Sequence, residues 1–307
     1  MQIIGIDHGN AQTKTAHFSF ASGVSEYEYE PYTKQDVLEY GGKYYVCGTG
    51  RQPLSLDKTS NETYYLLTLA AIAKEIEVRC LHRVCQVIIA AGLPLTTYGR
   101  EKNKFEAYLL GDGNAISFRY EGRTYEVTIA KVDIFPQGYS AILEHRDMLL
   151  GEPSVILADI GGWTVDVMRL DRGIPDASTC RSLELGMIRC MDEITEQVRR
   201  RIGKSLTTAQ IETILADKGY RTDDRMRRIV ESEADRYAIR LLSTIAESGF
   251  DWSAIPIIFM GGGAALIKRM INPSIHLFRQ IFLTDVCANA KGYEALCEQL
   301  TGKVNHA

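Results

Sequence analysis

Val155–Leu170 reads VILADIGGWTVDVMRL, and the rest of the chain can be organised around it. The apolar run Val155, Ile156, Leu157, Ala158 drives into Asp159, and Gly161 and Gly162 form a turn. The chain then leaves as an alternating segment carrying Thr164, Asp166 and Arg169. This pattern predicts strand, tight turn, strand. Two glycines at the turn let backbone N–H groups approach an anion with no Cβ in the way. Asp159, where a buried strand ends, is well placed to hold a metal ion or its bound water. An ordinary glycine-turn hairpin has the same local pattern, so a single copy decides little.

A second copy tips the balance. Ile3–Thr15, IIGIDHGNAQTKT, repeats the apolar strand, the aspartate (Asp7), a glycine two residues on (Gly9) and a polar exit strand. Aligned on the aspartates, Gly9 matches Gly161, Gln12 matches Thr164 and Lys14 matches Asp166. Two such hairpins, one per half, predict an internally duplicated α/β protein closing on a phosphate chain.

The 307 residues suit roughly two domains of about 150 each. With 45% hydrophobic and 24% charged residues the composition is that of a soluble globular protein. A net charge of −4 gives no global basic field to recommend direct nucleic-acid binding. The N-terminus opens at once on a strand and lacks a signal-peptide layout, and no apolar run reaches the ~18–20 residues of a membrane span. Cys47, Cys80, Cys85, Cys180, Cys190, Cys287 and Cys297 contain no CxxC pair and read as reduced cytosolic thiols, mostly in the core.

Along the chain, Gly41-Gly42 turns Val37–Tyr40 back on Lys43–Val46. A helix capped at Asn61 or Thr63 runs to about Cys80. Val84–Ala91 is a buried strand and Glu101–Leu110 a helix, and Ile116–Tyr120 with Thr124–Val132 forms a hairpin about Glu121-Gly122. Phe135-Pro136-Gln137-Gly138 leads into a helix to about Leu149. Beyond Pro153 and the central hairpin come a strand near Thr179–Glu184 and a helix opened by Gly186. Helical periodicity then covers Thr207–Lys218 and Asp223–Ser248. Ile255–Met260 is a buried strand, Gly261-Gly262-Gly263 opens another helix, Ile281–Leu283 is a short strand, and a last helix begins near Asn289.

With these pieces placed, the chain resembles the actin-like ATPases, and among them the ParM-type bacterial plasmid-segregation actins. Asp7–Lys14 resembles the family's first phosphate loop, Phe135–Gly138 its first connecting segment, and Asp159–Asp166 its second phosphate loop. Gly261-Gly262-Gly263-Ala264 is similar to the adenosine segment and Asn289–Tyr293 to the second connecting segment. Gly92-Leu93-Pro94-Leu95 is similar to a strand end of the ParM branch. His8 and Trp163 depart from that branch, which more often carries small or acidic residues and Thr there. Gln137 stands where some ParM-type proteins have Glu and eukaryotic actin has Gln.

The resemblance implies the α/β actin-like fold shared with sugar kinases and chaperone ATPases, with two duplicated halves around a nucleotide cleft. The halves would be residues 1–152, with a C-terminal helix 289–307 packed back on them, and residues 153–288. It implies an ATPase using ATP and Mg²⁺. Asp7, Gly9, Asn10, Gln12, Lys14, Gly161, Gly162, Thr164, Gly186, Gly261, Gly262 and Gly263 would bind the nucleotide. Asp7 and Asp159 would hold Mg²⁺ mostly through its waters, with Asp166 behind them, and Gln137 and Asp159 would be the catalytic pair. The less favoured readings are a surface lysine for Lys14 and an ordinary helix-start residue for Gln137. Relatives of this type stack head to tail into filaments and move DNA through an adaptor protein. The expectation is therefore a cytoplasmic filament ATPase that contacts neither nucleic acid nor membrane. The alternatives are a small-molecule kinase of the same fold, a chaperone-type ATPase switch and a cell-shape bacterial actin. The arginines near Arg199 and Arg225 read as solvated helix faces, because carboxylates are interspersed.

Overall fold

The computed structural model describes residues 1–50, 57–149, 151–216, 221–272 and 275–304. The chain divides into two compact units, Met1–His145 with Val286–Ala307, and Arg146–Asp285. These boundaries fall at 145/146 and 285/286, where the sequence suggested 152/153 and 288/289.

The first unit is built on a nine-stranded sheet. Its strands are β1 (Gln2–His8), β2 (Gln12–Lys14), β3 (Ser19–Ala21), β4 (Val24–Tyr27), β5 (Val37–Tyr40), β6 (Lys43–Cys47), β7 (Val84–Leu93), β8 (Ala115–Tyr120) and β9 (Arg123–Pro136). They lie in the order β3-β2-β1-β7-β9-β8-β5-β6-β4. The central trio β1, β7 and β9 is parallel. Helices α1 (Thr63–Val78) and α2 (Leu95–Leu110) follow, then a short α3 (Tyr139–Leu143). The middle of α1 is buried nearly all round, from Leu66 to Ala73, as its apolar composition demands. With Ile4, Ile6, Val87 and Ile89 fully buried beside it, each large side chain contributes about 1.5–3 kcal/mol.

Several elements depart from the periodicity. α2 begins at Leu95 and not at Glu101, because the carbonyl of Pro94 already accepts the amides of Thr97 and Tyr98. The helix after Gly138 stops at Leu143, since His145 N–H bonds the i−3 carbonyl of Ile142, and a 3₁₀ turn Arg146–Leu149 follows. β3 and β4, three and four residues long, carry too little periodicity to be read from the sequence.

The second unit holds a five-stranded sheet of β10 (Ser154–Ile160), β11 (Val165–Asp171), β12 (Ile174–Leu183), β13 (Ile257–Met260) and β14 (Gln280–Phe282), in the order β12-β11-β10-β13-β14. β12 starts five residues earlier than its sequence suggests. Arg172 and Gly173, with φ of 51° and 78°, make a two-residue reversal that pairs the strands at once. Its core is closed by α4 (Met187–Ile202), α5 (Thr208–Leu215), α6 (Asp224–Glu247) and α7 (Ala264–Met270). The last helix, α8 (Ala288–Val304), belongs to the first unit, where Glu294 Oε1 accepts the Gly5 amide at 2.8 Å. Arg79 locks this junction by reaching the Ile3 carbonyl, Glu75 and Glu294. Burial would raise the Glu75 carboxyl, but hydrogen bonds from Thr15 and His17 and the Arg79 charge hold it below its ordinary value. All seven cysteines are free. Among the described residues no helix is long and apolar enough to cross a membrane.

Candidate functional site

In the first unit, the buried run Ile4–Ile6 of β1 delivers Asp7 to the carboxyl end of the strand. Asp7 pairs with Lys14 and His8 with Thr13 across β1 and β2. Lys14 Nζ lies 3.4 Å from Asp7 Oδ2, with both residues buried. Asp7 Oδ1 is also buried and has no hydrogen-bond partner among the described residues. Leaving a buried acceptor unsatisfied costs about 1–3 kcal/mol, so a donor is expected there. The Gly9 amide closes back on the Asp7 carbonyl at 3.0 Å, and a Cβ at Gly9 would lie 2.6 Å from the Gln12 carbonyl oxygen.

The loop is tied down from distant positions that no local pattern singles out. His8 is fully buried, with Nε2 2.8 Å from Thr68 Oγ1 on α1 and Nδ1 unpartnered among the described residues. Burial and the Lys58 charge push its imidazole down to about 3, so it is neutral at pH 7. Lys58 Nζ donates to the His8 carbonyl at 2.7 Å, and Tyr64 Oη donates to Asn10 Oδ1 at 2.8 Å. Ser22 Oγ holds the Gly9 carbonyl at 2.6 Å.

The second unit repeats the construction. Asp159 pairs with Asp166 across β10 and β11, the same seven-residue separation as Asp7 and Lys14. The Gly161 amide closes on the Thr164 carbonyl at 2.9 Å, and a Cβ at Gly161 would meet that oxygen at 2.9 Å. Thr164 Oγ1 lies 3.5 Å from Asp166 Oδ2. The start of α4 is spent on this loop: the amides of Gly186, Met187 and Ile188 bond the carbonyls of Trp163, Gly161 and Gly162. Gly186 is thus held by packing, since a Cβ there would lie 2.2 Å from the Gly162 carbonyl oxygen. The Trp163 indole N–H is shielded from solvent without an acceptor among the described residues.

Each hairpin spends its first glycine amide on its own turn. The amides of Asn10 and Ala11, and those of Gly162 and Trp163, make no backbone bond among the described residues. Asp159 is buried, and Gly261, at φ 83°, packs so closely that a Cβ would lie 2.1 Å from Asp159 Oδ1. The Gly263 amide bonds the Ile160 carbonyl at 3.0 Å, and Gly262 between them is exposed. This brings Gly261–Gly263 to the carboxyl ends of β10 and β13, where ligands of parallel sheets bind.

Gln137 follows β9, its amide bonding the Leu93 carbonyl at 2.8 Å and its carbonyl accepting the Tyr139 amide at 2.9 Å. Asp7 and Gln137 therefore emerge at one carboxyl edge, two strand spacings of ~4.8 Å apart. Asn289 Oδ1 accepts the Gly138 amide at 2.9 Å, so both segments read as connecting segments meet in the first unit. In the first basic cluster Arg199 and Arg200 both reach Glu196, at 2.8 and 2.7 Å, and Arg201 reaches Glu233 at 3.0 Å, whereas Arg225 and Arg228 of the second donate to the carbonyls of Arg201 and Asp224.

Two α/β units, each with a leading strand that ends in an aspartate–glycine hairpin, define the fold of the actin-like ATPases. Residues 5–139 match the family described as actin like proteins N terminal domain. Residues 157–272 match the archaeal actin homologue MreB-like C-terminal family. The chain belongs to the actin-like proteins. Among solved structures it is similar to the archaeal actin homologue Ta0583, with 20% identity, 97% of this chain and 100% of that one covered, and a TM-score of 0.76. It is also similar to a 15-stranded ParM filament from Clostridium botulinum, with 20% identity, coverage of 97% and 100%, and a TM-score of 0.74. Bacillus thuringiensis ParM with ATP gives 16% identity, coverage of 98% and 99%, and a TM-score of 0.67. No match is found among curated protein sequences.

Proposed function

We propose that this chain is a Mg²⁺-dependent ATPase that assembles head to tail into filaments and segregates plasmid DNA through an adaptor protein. The observation that carries the reading is the duplicated hairpin, with an aspartate, a close-contact glycine and unspent loop amides at the end of each leading strand. The amides of Asn10, Ala11, Gly162 and Trp163 serve as donors to phosphate oxygens, with Gln12 and Thr164 beside them. Lys14 adds a point charge next to Asp7.

The orphaned Asp7 Oδ1 and the buried Asp159 fit a hydrated divalent cation, because hard carboxylate oxygens suit an ion that keeps its waters. Asp166 supports the second loop from behind. Mg²⁺, when bound, would neutralise charge on the phosphates during transfer to water. Gln137 orients the attacking water; its amide cannot act as an ordinary base. Gly262, exposed between the closely packed Gly261 and Gly263, lets the adenosine approach backbone, and Gly186 supports the loop through packing.

Two similar structures, a ParM filament and ParM with ATP, support assembly and nucleotide use in this chain. A net charge of −4 agrees with an adaptor making the DNA contact, and a cytoplasmic location belongs to the same reading. The test is pelleting and light scattering of the purified protein with and without Mg-ATP, followed by electron microscopy. Polymer that needs nucleotide is expected. Absence of polymer with both ATP and GTP, together with phosphate transfer to a small molecule, would replace the filament by a kinase.

A further inference from the structure

At the outer edge of the first unit's sheet, β4 runs into a stretch where carboxylates alternate with tyrosines: Glu26, Tyr27, Glu28, Tyr29, Glu30, Pro31, Tyr32. Tyr27, Tyr29 and Tyr32 are 45%, 81% and 108% exposed. Uncovered aromatics gathered in this way mark a recognition surface, since tyrosine brings a large apolar face with little entropy to lose. Glu26 is tied to Lys43 at 2.7 Å, whereas Glu28 and Glu30 have no ion pair among the described residues. Two copies of such a segment would repel each other, so its partner surface must be apolar and cationic.

The second unit carries a surface of that kind. β14 is the outer strand of its sheet, and beside it lies a groove of about 490 Å³ lined by Lys268, Ile271, Gln280 and Phe282. Lys268 Nζ stands 5.7 Å from the centre of the Phe282 ring, and Arg269 is the next residue of α7. Neither cation has a carboxylate partner among the described residues, and Phe278, two residues before β14, is 59% exposed.

We infer that residues 26–32 of one copy dock in the β14–α7 groove of the next copy. The inference rests on the filament reading and names one of its contacts. Tyrosine rings enter the groove against Ile271 and Phe282, while Glu28 and Glu30 meet Lys268 and Arg269. Three tyrosines at ~150–250 Å² each supply about 500 Å². That is more than half of the ~800 Å² per partner of a standard interface. Because two different faces are joined, the contact repeats without closing, as a filament requires.

The experiment compares polymer assembly with Mg-ATP in wild type, Tyr29→Ala/Tyr32→Ala, Glu28→Lys/Glu30→Lys, Lys268→Glu/Arg269→Glu and the fourfold charge swap. Each double variant should raise the critical concentration at least tenfold while keeping its ATP-induced rise in melting temperature. The fourfold swap should restore assembly. The two charge-reversal variants, neither of which assembles alone at the wild-type critical concentration, should co-assemble into alternating polymer when mixed, because each segment then meets a groove of opposite charge. Wild-type assembly with all variants pelleting at the same concentration overturns the contact and leaves the filament reading standing. A wild type that assembles with neither ATP nor GTP overturns both.

Discussion

His8 allows a quantitative test of how the first phosphate loop is held. Its folded-state pKa is about 3, driven down by burial and the Lys58 charge, against an ordinary value of 6.5. Above pH 6.5 the ring is neutral in both states and adds no pH dependence. As pH falls from 6.5 toward 3, only the unfolded chain takes up the proton, so stability is progressively lost. At pH 5.0 the gap of about 1.5 pH units, at 1.36 kcal/mol each, amounts to about 2 kcal/mol. His8→Leu removes this term. It leaves no orphan on Thr68, whose hydroxyl also donates to the Tyr64 carbonyl at 2.8 Å. Urea unfolding of both proteins at pH 7.5 and 5.0 reads the effect, because carboxylates common to both cancel in the double difference. The variant should gain about 2 kcal/mol relative to wild type on going to pH 5.0. Curves that move in parallel would show that His8 is protonated in the folded state and that the loop is not packed around a neutral imidazole.

Asp159→Ala should leave circular dichroism unchanged while phosphate release from ATP disappears; normal turnover would mean that another carboxylate serves the metal. Gln137→Ala should slow hydrolysis roughly 30- to 1,000-fold, from about 2–4 kcal/mol of lost transition-state support, yet still assemble with ATP into filaments that outlast those of wild type. Disassembly at the wild-type rate would remove Gln137 from the water-positioning role. Gly261→Ala must place a Cβ 2.1 Å from Asp159 Oδ1 at φ 83°. About 1–3 kcal/mol of strain and loss of the ATP-induced thermal shift should follow, and an unaltered shift would separate this turn from the nucleotide.

The two hairpins were legible in the sequence because their signal is local. An unbroken apolar run, an aspartate and a glycine at fixed offset dictate strand, turn and strand, and the seven-residue register of Asp7 with Lys14 and of Asp159 with Asp166 follows from it. Family resemblance then extended two local motifs to the actin-like fold of both halves. Which donors remain for an anion was not legible. Gly9 and Gly161 look like phosphate donors by type, but their amides close their own turns, and Gly186 spends its amide on Trp163. Nor did any pattern mark Thr68, Lys58 and Tyr64 as the anchors of His8 and Asn10, some 50 to 60 positions away. The sequence alone determined where the two leading strands β1 and β10 give way to their turns and which residue types stand there, since backbone conformation answers to near neighbours. Tertiary structure decided which of those groups are already satisfied, which strand becomes an edge and that α8 returns to Gly5, because such contacts depend on how distant segments pack and not on any local period.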